Sequence, residues 1–175
     1  HTQRRRQRQM CIRDSPTAVA NPKYASIIVE ESSGRVLYSR SADKQLFPAS
    51  LTKIMTLYLL FEALQNRRIT LGTRMKVSKV AASRSPSKLY LKPGQTITVE
   101  NAILALVTKS ANDVATVVSE HLGGNERNFA KKMTRKAKAI GMKRTIFKNA
   151  SGLPNQAQLS TARDMARLGI AIRRD

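Results

Sequence analysis

The sequence predicts a mixed α/β domain that opens with an antiparallel hairpin and continues through a mainly helical middle. Residues 24–31 and 35–40 alternate apolar and polar positions around "SSG", which is typical of two short strands joined by a tight turn. Residues 51–64 are apolar on nearly every face, which indicates a helix packed on all sides. Three further helical segments follow between residues 98 and 140. A chain of 175 residues, 41% of them hydrophobic, suffices for one such domain.

The segments between and after these elements carry turn and cap signals. Residues 75–99 contain Pro86 and a Pro-Gly pair at 93–94, so we expect short strands and loop there rather than helix. The third helical segment ends at Gly141, a good C-cap residue. After the loop "FKNASGLPNQAQ", Thr161 and Asp164 have the spacing of a capping box and predict a last helix.

The chain is strongly basic. Its 32 Lys and Arg against 11 Asp and Glu give +21, which predicts attraction to nucleic acid, anionic lipid or an acidic wall polymer without naming one of them. Residues 1–15 contain five arginines and no hydrophobic periodicity, and resemble a translated sequencing adapter or cloning scar. We therefore expect residues 1–15 to be a non-native or disordered leader and residues 16–175 to form the domain, which still carries +17. A basic nucleic-acid-binding arm is the alternative for the leader.

Several classes of protein are disfavoured by composition. No apolar run reaches the 18 residues expected of a transmembrane helix, because Thr56 and Glu62 interrupt the longest one. Cys11 is the single cysteine, and His1 and His121 are the only histidines, so a disulfide framework or a Cys-rich or His-rich metal site is not encoded. We expect neither a metal nor another cofactor.

The pattern Ser-x-x-Lys occurs three times, at Ser41/Lys44, Ser50/Lys53 and Ser85/Lys88. About 1.2 matches are expected by chance, so the bare pattern carries little weight. Only Ser50 opens a buried helix, and on a helix residues three apart share a face.

This position matters because a serine hydroxyl needs a neighbouring base to act as a nucleophile. A lysine can be that base when burial disfavours its ammonium form, and a helix N-terminus favours an oxyanion formed beside Ser50. The alternative is that Ser50 is an N-cap and Lys53 extends to solvent.

A second polar group lies in "TKSANDVA". Ser110 and Asn112 stand between two predicted helices and offer a hydroxyl and an amide for proton transfer and substrate orientation. The alternative is that one of them merely caps the following helix.

Four segments together resemble the low-molecular-weight penicillin-binding proteins, the serine D-alanyl-D-alanine carboxypeptidases of bacterial cell-wall metabolism. They are "PASLTK", "LKPGQTITVENAILALV", "TKSANDVA" and "NASGLP" with "STARDMA", and the resemblance covers roughly residues 21–173. It implies that Ser50 is the acylated nucleophile, Lys53 its proton acceptor, Ser110 the relay toward the leaving group and Asn112 the substrate-orienting amide.

The resemblance also implies a transpeptidase-like α/β fold, an antiparallel sheet with a helical subdomain that carries the "SAN" junction. The family's third motif, Lys-Thr-Gly on a sheet strand, does not occur before Asp175. We therefore expect an N-terminal part of the catalytic domain without the later sheet strands.

The expected function is removal of the terminal D-alanine from peptidoglycan stem peptides through an acyl-enzyme, with β-lactams as covalent inhibitors. A serine β-lactamase of the same fold is one alternative, disfavoured by "SAN" in place of "SDN" and by the lack of an identifiable deacylating glutamate. A basic module that binds anionic polymer or nucleic acid without catalysis is the other. The resemblance implies a periplasmic or other extracytoplasmic location, with adsorption to membrane or wall polymer as a further expectation and no specific nucleic-acid partner.

Overall fold

The computed structural model describes residues 24–174. Within that range, short strands occur only in the first half, and helices make up most of the second half. The strands are β1 (Ser26–Val29), β2 (Val36–Arg40), β3 (Arg74–Lys76) and β4 (Thr96–Thr98). The helices are α1 (Thr52–Gln65), α2 (Lys79–Ser83), α3 (Val99–Thr108), α4 (Asn112–Gly123), α5 (Glu126–Ala139) and α6 (Ala162–Arg174). The predicted leader, residues 1–15, lies outside the described residues.

The strands form two antiparallel pairs, β1 with β2 and β3 with β4. The β1–β2 hairpin has an irregular register between Ile28 and Val29, and its turn is closed by backbone hydrogen bonds from the N–H of Gly34 to the carbonyl of Glu30 and from the N–H of Glu30 to the carbonyl of Arg35. The predicted hairpin is therefore confirmed, with strands shorter than the alternating pattern suggested.

Helix α1 is the centre of the fold. It contacts α3, α4, α5 and α6, and most of its side chains are buried, including the polar Thr52 and Thr56 at 0% exposure. Because neighbouring helices surround α1, it needs no polar face, as the apolar run predicted.

No helix among residues 24–174 is both long enough and apolar enough to cross a membrane.

The segment between β3 and β4 is mainly loop, as expected, but it also contains α2. The hydroxyl of Ser78 caps this helix by accepting a 2.9 Å hydrogen bond from the N–H of Ala81. The prediction missed α2 because five residues are too few to show a helical period.

The last helix, α6, begins where it was predicted, but the capping box is only half formed. The hydroxyl of Thr161 accepts a 3.1 Å hydrogen bond from the N–H of Asp164. The Asp164 carboxylate does not reach back to Thr161; it accepts hydrogen bonds from the N–H of Arg144 and the hydroxyl of Thr145 and pairs with Arg167. An aspartate is one methylene shorter than the glutamate that usually closes this motif, and here it joins α6 to the preceding loop.

Candidate active site

Ser50 lies in a single 3₁₀ turn, Ala49–Leu51, that leads directly into α1, and its side chain is exposed. The first residues of such a turn leave backbone N–H groups without partners inside the helix, which makes the turn favourable for a developing negative charge. Neither the turn nor α1 has a side-chain cap, and the N-cap positions are held by Pro48 and Leu51. The alternative in which Ser50 serves as an N-cap is therefore wrong.

Lys53 lies in the first turn of α1 on the same face as Ser50. Its Nζ atom is 3.5 Å from Oγ of Ser50 and donates a 2.6 Å hydrogen bond to the carbonyl oxygen of Ser151. The residue is only 3% exposed, so the alternative in which Lys53 extends to solvent is also wrong. Burial lowers the pKa of Lys53 from 10.5 to about 8, since desolvation penalises the ammonium form. A neutral fraction of the amine is then available close to neutral pH.

The loop of residues 148–158 supplies the partner of Lys53 and is itself tied to α1. The hydroxyl of Thr56, one helical turn after Lys53, donates a 2.7 Å hydrogen bond to the carbonyl of Ala150. Two adjacent carbonyls of the loop thus accept hydrogen bonds from one face of α1. The loop also packs closely against the 3₁₀ turn of Ser50 at Gly152, where an added Cβ would lie 1.9 Å from the carbonyl oxygen of Ala49.

Gln158 holds this loop in shape from inside. It is 2% exposed, and its side-chain oxygen accepts hydrogen bonds from the N–H groups of Lys148 (2.8 Å) and Asn149 (3.0 Å). Its amide nitrogen lies 3.4 Å from the hydroxyl of Thr52, the residue before Lys53. Sequence reasoning missed both Gln158 and the Ser151 carbonyl. A glutamine in a polar loop gives no sign of burial, and a backbone carbonyl has no sequence signature.

Ser110 and Asn112 occupy the junction between α3 and α4, where the sequence predicted a break between two helices. Ser110 is half-buried and has a positive φ of 54°. Asn112 is 6% exposed; its N–H donates a 2.7 Å hydrogen bond to the carbonyl of Ser87, and its side-chain amide donates a 3.2 Å bond to the carbonyl of Ser85. The N-cap of α4 is Ala111, without a side-chain hydrogen bond, so the capping alternative is wrong for both residues. Helix α4 packs directly on α1.

Asp113 fixes the loop that faces this junction. Its carboxylate is fully buried and accepts hydrogen bonds from the N–H groups of Leu89 (3.0 and 3.1 Å) and Leu91 (3.3 Å). The hydroxyl of Ser87 donates a 2.7 Å bond to the carbonyl of Lys109, which ties the loop to the other side of the junction. Asp113 was not predicted as a site residue, although a carboxylate directly after "SAN" and before the apolar residues Val114 and Ala115 was a signal that it has a specific partner.

An open cleft of about 330 Å³ lies beside the 3₁₀ turn of Ser50. Its walls are largely apolar and come from the turn and from the loop after Gly152. They include Phe47, Pro48, Ala49, Leu153 and Pro154. Residues 24–174 contain no cluster of three or more His, Cys, Asp or Glu side chains that could hold a metal ion.

Ser50 in the 3₁₀ turn, Lys53 in the first turn of α1, and Ser110 and Asn112 at the α3–α4 junction are the residue types expected of a transpeptidase of the penicillin-binding-protein class. The fold belongs to that class. The chain superposes on penicillin binding protein 5 from Haemophilus influenzae with a TM-score of 0.83 and 31% identity, covering 86% of this chain and 45% of that one. It superposes on the carboxypeptidase DacD from Francisella tularensis with a TM-score of 0.83 and 34% identity, covering 94% of this chain and 40% of that one.

The sequence comparisons are more specific. The profile of peptidase family S11, D-alanyl-D-alanine carboxypeptidase, matches residues 13–175, and the chain belongs to that family. It is 38% identical to the carboxypeptidase DacF of Bacillus subtilis over 148 residues, 85% of this chain and 38% of the relative. It is also 38% identical to DacC of Escherichia coli over 157 residues, 86% of this chain and 39% of the relative. The chain thus spans about two fifths of the length of these curated relatives.

Proposed function

We propose that this chain carries the nucleophile of a serine D-Ala-D-Ala carboxypeptidase and that Ser50 is the residue acylated. The observation that carries the proposal is the position of Lys53, whose buried amine lies 3.5 Å from the Ser50 hydroxyl. A serine becomes a nucleophile when an adjacent base takes its proton, and a desolvated lysine meets that requirement. Membership of the carboxypeptidase family supplies the reaction class.

The proposed acylation begins with transfer of the Ser50 hydroxyl proton to the neutral amine of Lys53. Oγ then forms a bond to the carbonyl carbon of the penultimate D-alanine of a peptidoglycan stem peptide, and the backbone N–H groups at the start of α1 stabilise the oxyanion. The C–N bond to the terminal residue breaks, its nitrogen takes a proton, and D-alanine leaves. Water then attacks the ester carbonyl and regenerates the Ser50 hydroxyl and the shortened peptide.

Ser110 and Asn112 are assigned supporting roles on the α3–α4 junction. We assign Ser110 to the proton path between Lys53 and the leaving nitrogen, since a hydroxyl both donates and accepts. The amide of Asn112 is assigned to a carbonyl of the substrate backbone. Both residues are held by a junction that the loop of residues 85–91 fixes on one side, which suits groups that must keep their geometry during the reaction.

The sequence of this chain contains no Lys-Thr-Gly, the family motif expected to complete the oxyanion site and to bind the substrate carboxylate. The curated relatives are also longer than the matched region. We therefore assign the full reaction to a longer protein in which residues 24–174 supply the nucleophile helix and the helical subdomain. Because peptidoglycan lies outside the cytoplasm, so does the proposed site of action.

β-Lactams are the proposed covalent inhibitors, because their strained amide presents the same carbonyl to Ser50. A solved relative, penicillin-binding protein D2 from Listeria monocytogenes, is in its ampicillin-bound form, and this chain superposes on it with a TM-score of 0.77 and 30% identity, over 88% of this chain and 63% of that one.

The experiment that tests the function is release of D-alanine from a pentapeptide by a chimera. Residues 24–174 replace the matching part of DacF from Bacillus subtilis, and DacF itself is the positive control. D-Alanine release that disappears in Ser50→Ala, with folding unchanged by circular dichroism, is the expected result. A folded chimera that binds penicillin covalently but hydrolyses it rapidly, without releasing D-alanine, would favour the β-lactamase alternative. A folded chimera that neither releases D-alanine nor reacts covalently with penicillin would leave only the non-catalytic binding alternative and would overturn the proposal.

A further inference from the structure

Helix α5 and the segment that crosses it form a groove lined by basic side chains. The groove has a volume of about 480 Å³ and runs between α5 and residues 146–148. Its cations are Arg127, Lys131, Arg135 and Lys138 on the helix and Lys148 on the opposite wall, and all five are exposed. We call these five residues and the cleft between them the basic groove.

The cations of the basic groove have no acidic partners within residues 24–174, in contrast with other basic residues of the fold. Lys136, on the same helix, pairs with Glu62 at 2.7 Å, and Arg163 pairs with Asp43 at 2.7 Å. The single carboxylate of α5 is Glu126, which accepts from Arg84 at 2.6 Å and from the N–H of Ala150 at 3.2 Å. The charge of the groove is therefore left uncompensated by the protein that surrounds it.

The row of cations on α5 destabilises the helix. Arg127, Lys131 and Arg135 follow one another at intervals of four residues, and like charges at that spacing repel each other along a helix face. Alternating Glu and Lys would stabilise α5 better. A bound anion would stabilise this row of unpaired cations on a concave surface, because the anion supplies the missing negative charge.

The spacing of the row indicates the kind of anion. With a rise of about 1.5 Å per residue, the four helix cations follow one another every 4.5 to 6 Å and span about 16 Å. A flexible polymer with six backbone bonds per phosphodiester extends to about 7 Å per charge, twice the reach of a three-bond peptide unit. One phosphate can therefore lie near each cation in turn. Lys148 adds a fifth cation on the opposite wall of the groove.

We propose that the basic groove binds a flexible, linear phosphodiester polymer without bases, of the kind represented by poly(glycerol phosphate). A flat bilayer is a poorer fit, because the cations line a concavity and Ile146, at 44% exposure, is the only large apolar side chain exposed in it. A nucleic acid is a poorer fit because Phe147, the aromatic residue of the groove, is 2% exposed and offers no face for base stacking. This binding does not depend on the proposed catalysis.

The test measures binding of the 175-residue chain to poly(glycerol phosphate) of defined length by fluorescence anisotropy. With five cations engaged, the affinity should fall with a log–log salt slope of about −3.5, which is about a hundredfold loss from 50 to 200 mM salt. Lys131→Gln/Arg135→Gln should weaken binding about 20-fold near 0.1 M salt and lower the slope by about 1.4. Lys138→Gln/Lys148→Gln, which removes one charge from each wall, should weaken it similarly.

The matched control is Lys76→Gln/Lys79→Gln, which removes the same charge from two exposed residues outside the groove. It should weaken binding less than about threefold. An equal loss in the control would mean that binding follows net charge, and the groove would have no special role. Tighter binding to an oligothymidylate with the same number of phosphates, or to phosphatidylglycerol vesicles while the polymer does not bind, would also overturn the proposal. The N-terminal arginines are common to all variants, so they cancel in the affinity ratios and in the slope differences between variants. The slope of about −3.5 counts the five groove cations alone, and a steeper slope in the unmodified chain measures the share of the arginines.

Discussion

Lys53 donates a 2.6 Å hydrogen bond to the carbonyl oxygen of Ser151, a residue 98 positions later in the chain. This bond orients a buried amine that would otherwise have several rotamers, and it leaves Oγ of Ser50 3.5 Å away from the same nitrogen. A carbonyl can only accept, so it stabilises the amine in either protonation state while desolvation lowers the pKa of Lys53 to about 8. The loop of residues 148–158 is thus part of the candidate site although it carries none of the predicted residues.

The pH dependence of acylation follows from this pKa. In the DacF chimera, the rate of reaction with a soluble penicillin should rise about fivefold between pH 7 and pH 8 and level off above about pH 9, as the neutral fraction of Lys53 grows from about a tenth to nearly all. Acylation of Lys53→Met should be slower by about two orders of magnitude, and its rate should not show this rise between pH 7 and pH 9. Stopped-flow measurement of the acylation rate against pH checks both proteins. If the rate of Lys53→Met still rose between pH 7 and pH 9, the rise would belong to another titrating group.

The same shift makes a prediction about stability. Below pH 8 Lys53 is protonated in the folded and unfolded states, so folding carries the full cost of burying the ammonium ion. Between about 8 and 10.5 the folded protein has lost the proton and the unfolded chain has kept it, so the free energy of unfolding rises with pH. Relative to Lys53→Met, in which all other titrations cancel, the rise should total ~3 kcal/mol at about 1.4 kcal/mol per pH unit. Denaturant unfolding across this window measures it, and a constant difference between the two proteins would contradict the shift.

Gly152 should be irreplaceable because of its contact with the turn of Ser50. Its φ is 89°, and a Cβ would lie 1.9 Å from the carbonyl oxygen of Ala49. Gly152→Ala should cost more than about 3 kcal/mol and abolish penicillin labelling. The control is Gly124→Ala, where φ is also positive, at 74°, but nothing lies within 4 Å, so about 1 kcal/mol of backbone strain is expected. Equal losses in the two variants would show that φ alone matters and that the close packing does not.

Gln158 should contribute to stability far more than its neighbour Gln156. Gln158→Leu leaves two inward-facing N–H groups, of Lys148 and Asn149, without their acceptor and should lower the free energy of unfolding by about 2–4 kcal/mol. Gln156→Leu changes an exposed side chain of the same loop and should stay within about 0.5 kcal/mol. Similar values for both variants would mean that the loop does not need its internal hydrogen bonds.

Local patterns were enough to predict the elements that position the site. The buried helix, the break at "SAN" and the last helix all follow from apolar periodicity and from cap and turn residues, which act within a few positions of one another. The contact between Ser50 and Lys53 follows from the three-residue spacing on a helix. Helix α2 was missed because its signal, a single serine cap, is too short to distinguish from loop.

Partners distant in sequence could not be predicted in this way. The Ser151 carbonyl and the buried Asp113 carboxylate act through contacts with segments 22 to 98 residues away. The Gln158 side chain contacts Thr52, 106 residues away, as well as two backbone N–H groups of its own loop. Their residue types are common in loops and helix ends, and only the folded chain shows which backbone groups they meet. The basic groove is a similar case, since net charge indicated an anionic partner but not the face that would bind it.

The position of the covalent penicillin label is the decisive measurement for Ser50 as the nucleophile. The DacF chimera is incubated with a penicillin, digested, and the acylated peptide is identified by mass spectrometry, alongside Ser50→Ala, Ser41→Ala and Ser85→Ala, which alter the serines of the three Ser-x-x-Lys pairs. We expect the label on Ser50 and its loss in Ser50→Ala alone. A label on another serine, or one that persists in Ser50→Ala, would contradict that assignment.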